Sequence, residues 1–185
     1  MKINKHGYWE EICNHHTDKG LKDSLLSLVS DLESVVDFGC GDASYAKYLQ
    51  SNSNIKVKAF DGNPNVKQIT NNFAEQLDLA KPFNLDEVFD IVISLEVAEH
   101  IPKEYEATYI NNLCKHTNKY LIISWATPGQ GGKGHVNEQT NEYVIDLFLT
   151  LGLEYKKEYS NYLRNSITNC NWFKNTILVF EKENE

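Results

Sequence analysis

No stretch of the 185-residue sequence approaches the roughly 18 apolar residues that a membrane-spanning helix needs. The opening MKINKHGYWEEICNHH also lacks the apolar core of a secretion signal. Basic residues number 18 against 26 acidic ones, a net charge of −8, so there is no broad positive field to concentrate nucleic acid or an anionic membrane. The four cysteines, Cys13, Cys40, Cys114 and Cys170, form no Cys-x-x-Cys pair and no Cys/His spacing suited to zinc, and are expected to be reduced thiols. The absence of a Gly-x-x-x-x-Gly-Lys-Ser/Thr loop argues against a triphosphate ligand. Asparagine is abundant, yet no repeat, linker or purely polar tract interrupts the chain. A soluble, cytoplasmic protein is expected. With 41% hydrophobic residues, the chain is long enough for one substantial core and short for two.

What is present alternates between two periods. Asp18 is placed to cap a helix running to about Glu33, with Leu21, Leu25, Leu28, Val29 and Leu32 at helical spacing. The short apolar run VVDFGCG reads as a buried strand turning into a helix that carries Tyr45, Tyr48 and Leu49. VKAFDGNP closes a second strand on Asp61, and Pro64 suits the first turn of a helix reaching about Phe73. AEQLDLA is a weak third strand, whereas FDIVISLEV is apolar on both faces and therefore central. Pro102 is expected to begin the next helix, and YLIISWA forms a fifth strand. A glycine-rich loop, TPGQGGKGH, precedes a helix over about residues 140–151. YKKEYS and NTILVFEK then read as an antiparallel edge pair with no helix between them.

Chemistry concentrates at the ends of these strands. DFGCGDA has Gly39 and Gly41 at the first two glycine positions of a Gly-x-Gly-x-x-Gly-like turn, where side chains would keep a nucleotide from the backbone. Asp61 follows about 20 residues later at the end of the second strand, where a carboxylate accepts ribose hydroxyls. Asp37 and Asp42 flank the turn and suit a ligand carrying an ammonium and a sulfonium better than a pyrophosphate.

On these residues VVDFGCGDASYAKYL resembles the first motif of class I S-adenosylmethionine-dependent methyltransferases. AFDGNP is similar to their acidic second motif, LDLAKPF to the third, and FDIVISLEVAEHIP to the fourth as written in the small-molecule branch. Ala43 replaces the third glycine, at a position that mainly governs helix packing. The resemblance implies a Rossmann-like doubly wound α/β fold with a largely parallel seven-stranded sheet and an antiparallel last strand. It implies S-adenosyl-L-methionine as cofactor, held by Asp37, Gly39, Gly41, Asp61, Gly62, Asp78, Leu79 and Leu95, with Leu77 also beside the adenine. The segments HGYWE and SWATPGQGGKGHVNEQTNEY look like those of a recurring group of stand-alone or glycosyltransferase-associated methyltransferases.

The expected organisation is one domain over residues 1–185: a cofactor-covering segment and helix over 1–34, the cofactor core over 35–125, and a substrate loop, helix and edge strands over 126–185. Tyr8, Trp9, Trp125, Gln130, Asn137 and Arg164 are the substrate-side candidates. His100 is the preferred base because it directly follows the central strand; His135 would orient the acceptor, and Glu96 would fix one imidazole. Glu99 reads as a capping residue for the next helix, and His15, His16 and His116 as surface. Catalysis is expected to need no metal unless folding brings His100, His135 and Glu96 together. The absence of an Asn/Asp-Pro-Pro-Tyr sequence after the fourth strand, where SLEV stands, weighs against a nucleobase acceptor. The expected reaction is methyl transfer to a small polar acceptor, a hydroxyl of a sugar or related metabolite, by a monomer or homodimer. Methylation of a small amine or sugar amine, a non-catalytic cofactor-binding subunit and a nicotinamide oxidoreductase stay open as alternatives.

Overall fold

A computed structural model describes residues 2–12 and 15–183; Cys13 lies outside the described residues. Seven strands form a single sheet, β1 (Ser34–Phe38), β2 (Lys56–Asp61), β3 (Glu75–Gln76), β4 (Phe89–Ser94), β5 (Thr117–Ser124), β6 (Leu153–Tyr155) and β7 (Ile177–Lys182). Their order is β3-β2-β1-β4-β5-β7-β6, with β7 antiparallel to both neighbours and the remaining pairs parallel. This is the doubly wound sheet expected, and its switch point falls between β1 and β4, where ligands of open α/β sheets bind.

The pattern of β4 explains its central place. Phe89 and Val92 enter the core on one side of the sheet, and Ile91 and Ile93 enter the core on the other. One side is covered by α4 (Glu106–His116) and α5 (Asn141–Leu149), the other by α1 (Lys19–Leu28), α2 (Ser44–Asn52), α6 (Lys157–Asn165) and α7 (Phe173–Thr176). The short α3 (Val66–Thr70) closes the edge against Ala46, Ala59 and Ala74.

Asp18 caps α1 as expected and does more: its buried carboxylate accepts the amides of Leu21, Thr168, Asn169 and Cys170. Burial alone would raise its pKa, but these amides hold it down to about 2. Four boundaries differ from expectation. Helix α1 ends at Leu28 rather than near Glu33, because the Asp90 carboxylate takes the amides of Glu33 and Ser34 and draws the chain into β1. Helix α3 stops at Thr70 rather than near Phe73, where Asn71 and Asn72 adopt left-handed backbone. Pro102 opens a 3-10 turn, Lys103–Tyr105, and the α-helix begins at Glu106. YKKEYS is not the edge strand: β6 ends on its first residue, Tyr155, and α6 and α7 stand between β6 and its antiparallel partner β7, which lies inside the sheet. The spacing of Ser160 and Leu163, three apart and buried, serves the helix, and the Ser160 hydroxyl accepts the Val179 amide across to β7. No helix among the described residues is long and apolar enough to cross a membrane.

Candidate functional site

At the carboxyl ends of β1, β2 and β4 lies a cavity of about 270 Å³, near the lower end of the roughly 300 to 1,000 Å³ usual for small-molecule sites. The β1–α2 turn forms its floor. Gly39 and Gly41 have φ of 83° and 56°, and a Cβ at Gly39 would lie 2.2 Å from Val97, so this turn demands glycine there. Ala43 adopts φ 60°, a conformation few side-chain-bearing residues take, at a fully buried position.

Asp61 ties the turn to β2. One carboxyl oxygen accepts the Gly41 amide and the other the Asn63 amide, both at 2.8 Å. Burial raises its pKa, and these amides together with His15 oppose the rise. Asp37, buried on β1, is pushed up to about 7 by burial and by the charges of Asp61 and Asp42. Three carboxylates thus line one end of the cleft, which fits a ligand carrying positive charge.

The amino-terminal segment roofs this end. Ile3 bridges to Trp9, His6 Nδ1 donates to Asp78 at 2.6 Å, and the side-chain amides of Asn63 and Asn65 donate to the carbonyls of Glu11 and Glu10. The Tyr8 ring sits where any Gly62 side chain would be, and the His15 ring does the same over Gly41. His6, Tyr8, Trp9, His15 and His16 all line the cleft. The segment foreseen to cover the cofactor lies over this end of the cleft.

The other wall follows β4. Leu95, Glu96, Val97 and His100 line the cleft. Glu96 has φ 56° and pairs twice with Ser124: its amide donates to the hydroxyl, and the hydroxyl donates to its carboxylate. Burial lifts Glu96 to about 7, with Ser124 pulling the other way. The role foreseen for Glu96, fixing an imidazole, thus meets a different observed partner. His100 Nδ1 donates to the Gly134 carbonyl at 3.1 Å, which leaves Nε2 with its lone pair, and burial drives its pKa down to about 4.

Behind His100 sits the glycine-rich loop. Its backbone is pinned by the Val136 and Asn137 amides, which donate to Glu99 O, and by Glu138, which accepts from Gly129 and Gly131. His135 stands 5.0 Å from His100, ring to ring, and donates Nδ1–H to Glu138 at 3.2 Å. Glu99, expected to cap a helix, lies fully buried in a 3-10 turn, and neither of its carboxyl oxygens has a hydrogen-bond partner of good geometry among the described residues.

Several candidates stand outside the cleft lining. Trp125 is a core residue whose indole donates to Asn137 O, and Asn137 donates to Glu106. Arg164 donates Nε to Ile177 O from α6, and Gln130 accepts from the Thr127 amide. Asp78 anchors the roof through His6 while its neighbour Leu79 reaches the cleft. His116 is not at the surface: it is buried, stacks on Phe83, donates to Asn112 O and accepts the Leu85 amide. His16 is exposed at the cleft rim, whereas His15 is half-buried inside it. Trp172 and Phe173, just before and within α7, also line the cleft and carried no sequence signal.

A family described as a methyltransferase domain matches residues 13–130. No curated protein matches the chain in sequence. Among solved structures, a sugar N-methyltransferase from Streptoalloteichus superposes with a TM-score of 0.70 at 12% identity, over 100% of this chain and 99% of that one. Magnesium protoporphyrin IX methyltransferase from Synechocystis, solved with SAH, gives 0.66 at 16% identity, over 92% and 90%. An N-methyltransferase from Bradyrhizobium japonicum, in complex with S-adenosyl-L-homocysteine, gives 0.64 at 18% identity, over 89% and 84%. At these identities the likeness is one of fold.

Proposed function

The chain belongs to the methyltransferase-domain family, and from that premise we propose that it transfers the methyl group of S-adenosylmethionine to a hydroxyl of a small polar acceptor, such as a sugar or related metabolite. One observation carries the cofactor: a glycine-floored cleft end lined by Asp37, Asp42 and Asp61, where burial leaves Asp37 raised to about 7 in want of a positive partner. The cofactor's ammonium and sulfonium meet that demand, and Asp61, with further lone pairs beyond its two amide bonds, accepts from the ribose.

In the reaction, an acceptor oxygen lone pair forms the new O–CH₃ bond while the S–CH₃ pair returns to sulfur, and the hydroxyl proton passes to water. The thioether leaves without acid assistance, so alignment and water exclusion are the protein's main contribution. We assign the acceptor end to Tyr8, Trp9, Glu96 and His100, which all line the cleft, and make His135 a positioning residue behind His100. With its pKa near 4, His100 stores a proton poorly at neutral pH and acts instead as a lone-pair donor. A second reading, methylation of a sugar or other small amine, is favoured by the fold likeness to the sugar N-methyltransferase and the Bradyrhizobium N-methyltransferase; a neutral amine needs no base.

The test is incubation with methyl-labelled cofactor and a panel of sugars, nucleotide sugars, small alcohols and their amino analogues. Label on a hydroxyl is expected. Label only on amines selects the second reading, and no labelled product from a protein that binds the cofactor contradicts a small polar acceptor.

A further inference from the structure

Beside the cleft, the fold brings a residue of the glycine-rich loop against two neighbours from the turn after β4, and none of the three has a role in holding the cofactor. The ligand-capable atoms of Glu99, His100 and His135 all lie within 4.8 Å of one another. Two come from the turn after β4, and the third is delivered by the glycine-rich loop, whose Val136 and Asn137 amides are hooked onto the Glu99 carbonyl.

Both imidazoles are oriented in the manner of metal ligands. His100 donates Nδ1–H to the Gly134 carbonyl, and His135 donates Nδ1–H to the Glu138 carboxylate. A backbone carbonyl and a carboxylate behind the ring are the usual partners that fix a ligating histidine and leave Nε2 for the ion. His135 Nε2 then points toward Glu99 Oε1 at 4.0 Å, too far for a hydrogen bond between them.

Glu99 supplies the independent observation. Its carboxyl is fully buried, and neither carboxyl oxygen has a hydrogen-bond partner of good geometry among the described residues. Buried carboxyl groups are ordinarily paired or coordinated, because an unsatisfied one has given up its hydrogen bonds to water and gained none in return. Glu96 adds a second carboxyl near enough to repel Glu99, so the pocket lacks a cation and not an anion.

We infer that Glu99, His100 and His135 bind one divalent transition-metal ion, such as Mn²⁺, Fe²⁺ or Zn²⁺, at the acceptor end of the cleft. Two imidazole nitrogens and one carboxylate favour such ions over Ca²⁺, which takes oxygen ligands. Metal–ligand bonds of roughly 2.0 to 2.2 Å place neighbouring ligand atoms about 3 Å apart, so small side-chain rotations close the triad. His100 alone of the three lines the cleft, so the remaining coordination positions open toward it. The ion's role rests on the methyl-transfer reading, although its binding does not: it would make an acceptor hydroxyl held there a stronger acid, the proton passing to water, so that the oxygen would displace the thioether sulfur from the methyl group.

The test uses the full chain stripped with chelator and desalted. Free Mn²⁺ is followed by its electron paramagnetic resonance signal during titration, Zn²⁺ is added in competition, and S-adenosylhomocysteine binding is measured on the same samples. One Mn²⁺ per chain, displaced by Zn²⁺, is expected. Glu99→Gln and His135→Ala should each weaken it by at least about tenfold while circular dichroism and homocysteine-cofactor affinity stay as in the parent. If Glu99→Gln does not fold, His135→Ala on the loop carries the comparison. No binding of either ion at millimolar concentration, or equal binding by the parent and His135→Ala, overturns the inference. Cofactor binding without metal binding sinks this site alone, whereas metal binding without cofactor binding sinks the methyl-transfer reading alone.

Discussion

Replacing Asp37 by Asn separates what the cleft does for stability from what it does for the ligand. In the folded protein burial, reinforced by Asp61 and Asp42, raises the Asp37 carboxyl from 3.8 to about 7. Between those values the folded state keeps a proton that the unfolded chain has released, so unfolding free energy falls as pH rises, by about 1.4 kcal/mol per pH unit. The whole effect reaches about 4 kcal/mol as an upper bound by pH 7 and is absent below pH 4. Glu96, also raised to about 7, and Glu99 give slopes of the same sign, so the quantity to read is the difference between parent and variant. Urea unfolding followed from pH 4 to pH 8 should show Asp37→Asn gaining stability relative to the parent as pH rises. The ligand responds the other way. A cationic cofactor prefers the ionised carboxylate, so the parent's affinity should be about tenfold lower at pH 6 than at pH 8, and the variant's affinity should be weaker and flat. An affinity that is independent of pH in the parent, or a stability difference that does not change with pH, refutes the placement of Asp37 as a buried partner of the cofactor's charge.

Three further outcomes are expected. Asp61→Asn, which keeps one carbonyl oxygen for the turn, should stay folded and lose cofactor affinity by about 1.5 to 3 kcal/mol in calorimetry, the worth of a charge-assisted hydrogen bond; unchanged affinity removes Asp61 from the site. Asp18→Ala leaves the amides of Leu21, Thr168, Asn169 and Cys170 without their acceptor and should cost roughly 3 kcal/mol in urea unfolding. Because Asp18 titrates near 2, its contribution is present above about pH 4 and lost as pH falls toward 2, so parent and variant should converge in acid; a constant gap contradicts its role as the charged cap. Gly39→Ala should reduce cofactor affinity and stability together, since a methyl group would strike Val97 at a φ of 83°; a neutral result argues against a tight turn there.

What was legible in the sequence was what local pattern dictates. FDIVIS announces a strand buried on both faces, and Asp18 and Thr140 announce helix starts that the structure confirms by side-chain caps. DFGCG and Asp61 were placed by strand-end chemistry, and all line the cleft except Phe38. Long-range partners were not legible. Glu99 after β4 looks like any acidic residue opening a helix until the loop residue His135, 36 positions later by the numbering, is folded against it. His116 looks like a surface residue because its partners Phe83 and Leu85 lie on another segment. Asn63 and Asn65, lost among many asparagines, turn out to hold the roof by carbonyls of Glu11 and Glu10. Arg164 was evenly balanced between a substrate group and a surface partner, and its observed partner is instead the backbone of β7. In YKKEYS three charged residues run between Tyr155 and Tyr159, which leaves the local pattern uninformative, whereas burial of Ser160 and Leu163 against the sheet and α1 requires a helix.

The central claim is that the acidic, glycine-floored cleft is built for S-adenosylmethionine. Calorimetric titration of the purified chain with S-adenosylhomocysteine and, separately, with a nicotinamide dinucleotide tests it most directly. One equivalent of the homocysteine compound should bind and the dinucleotide should not; binding of the dinucleotide alone, or of neither, contradicts the account.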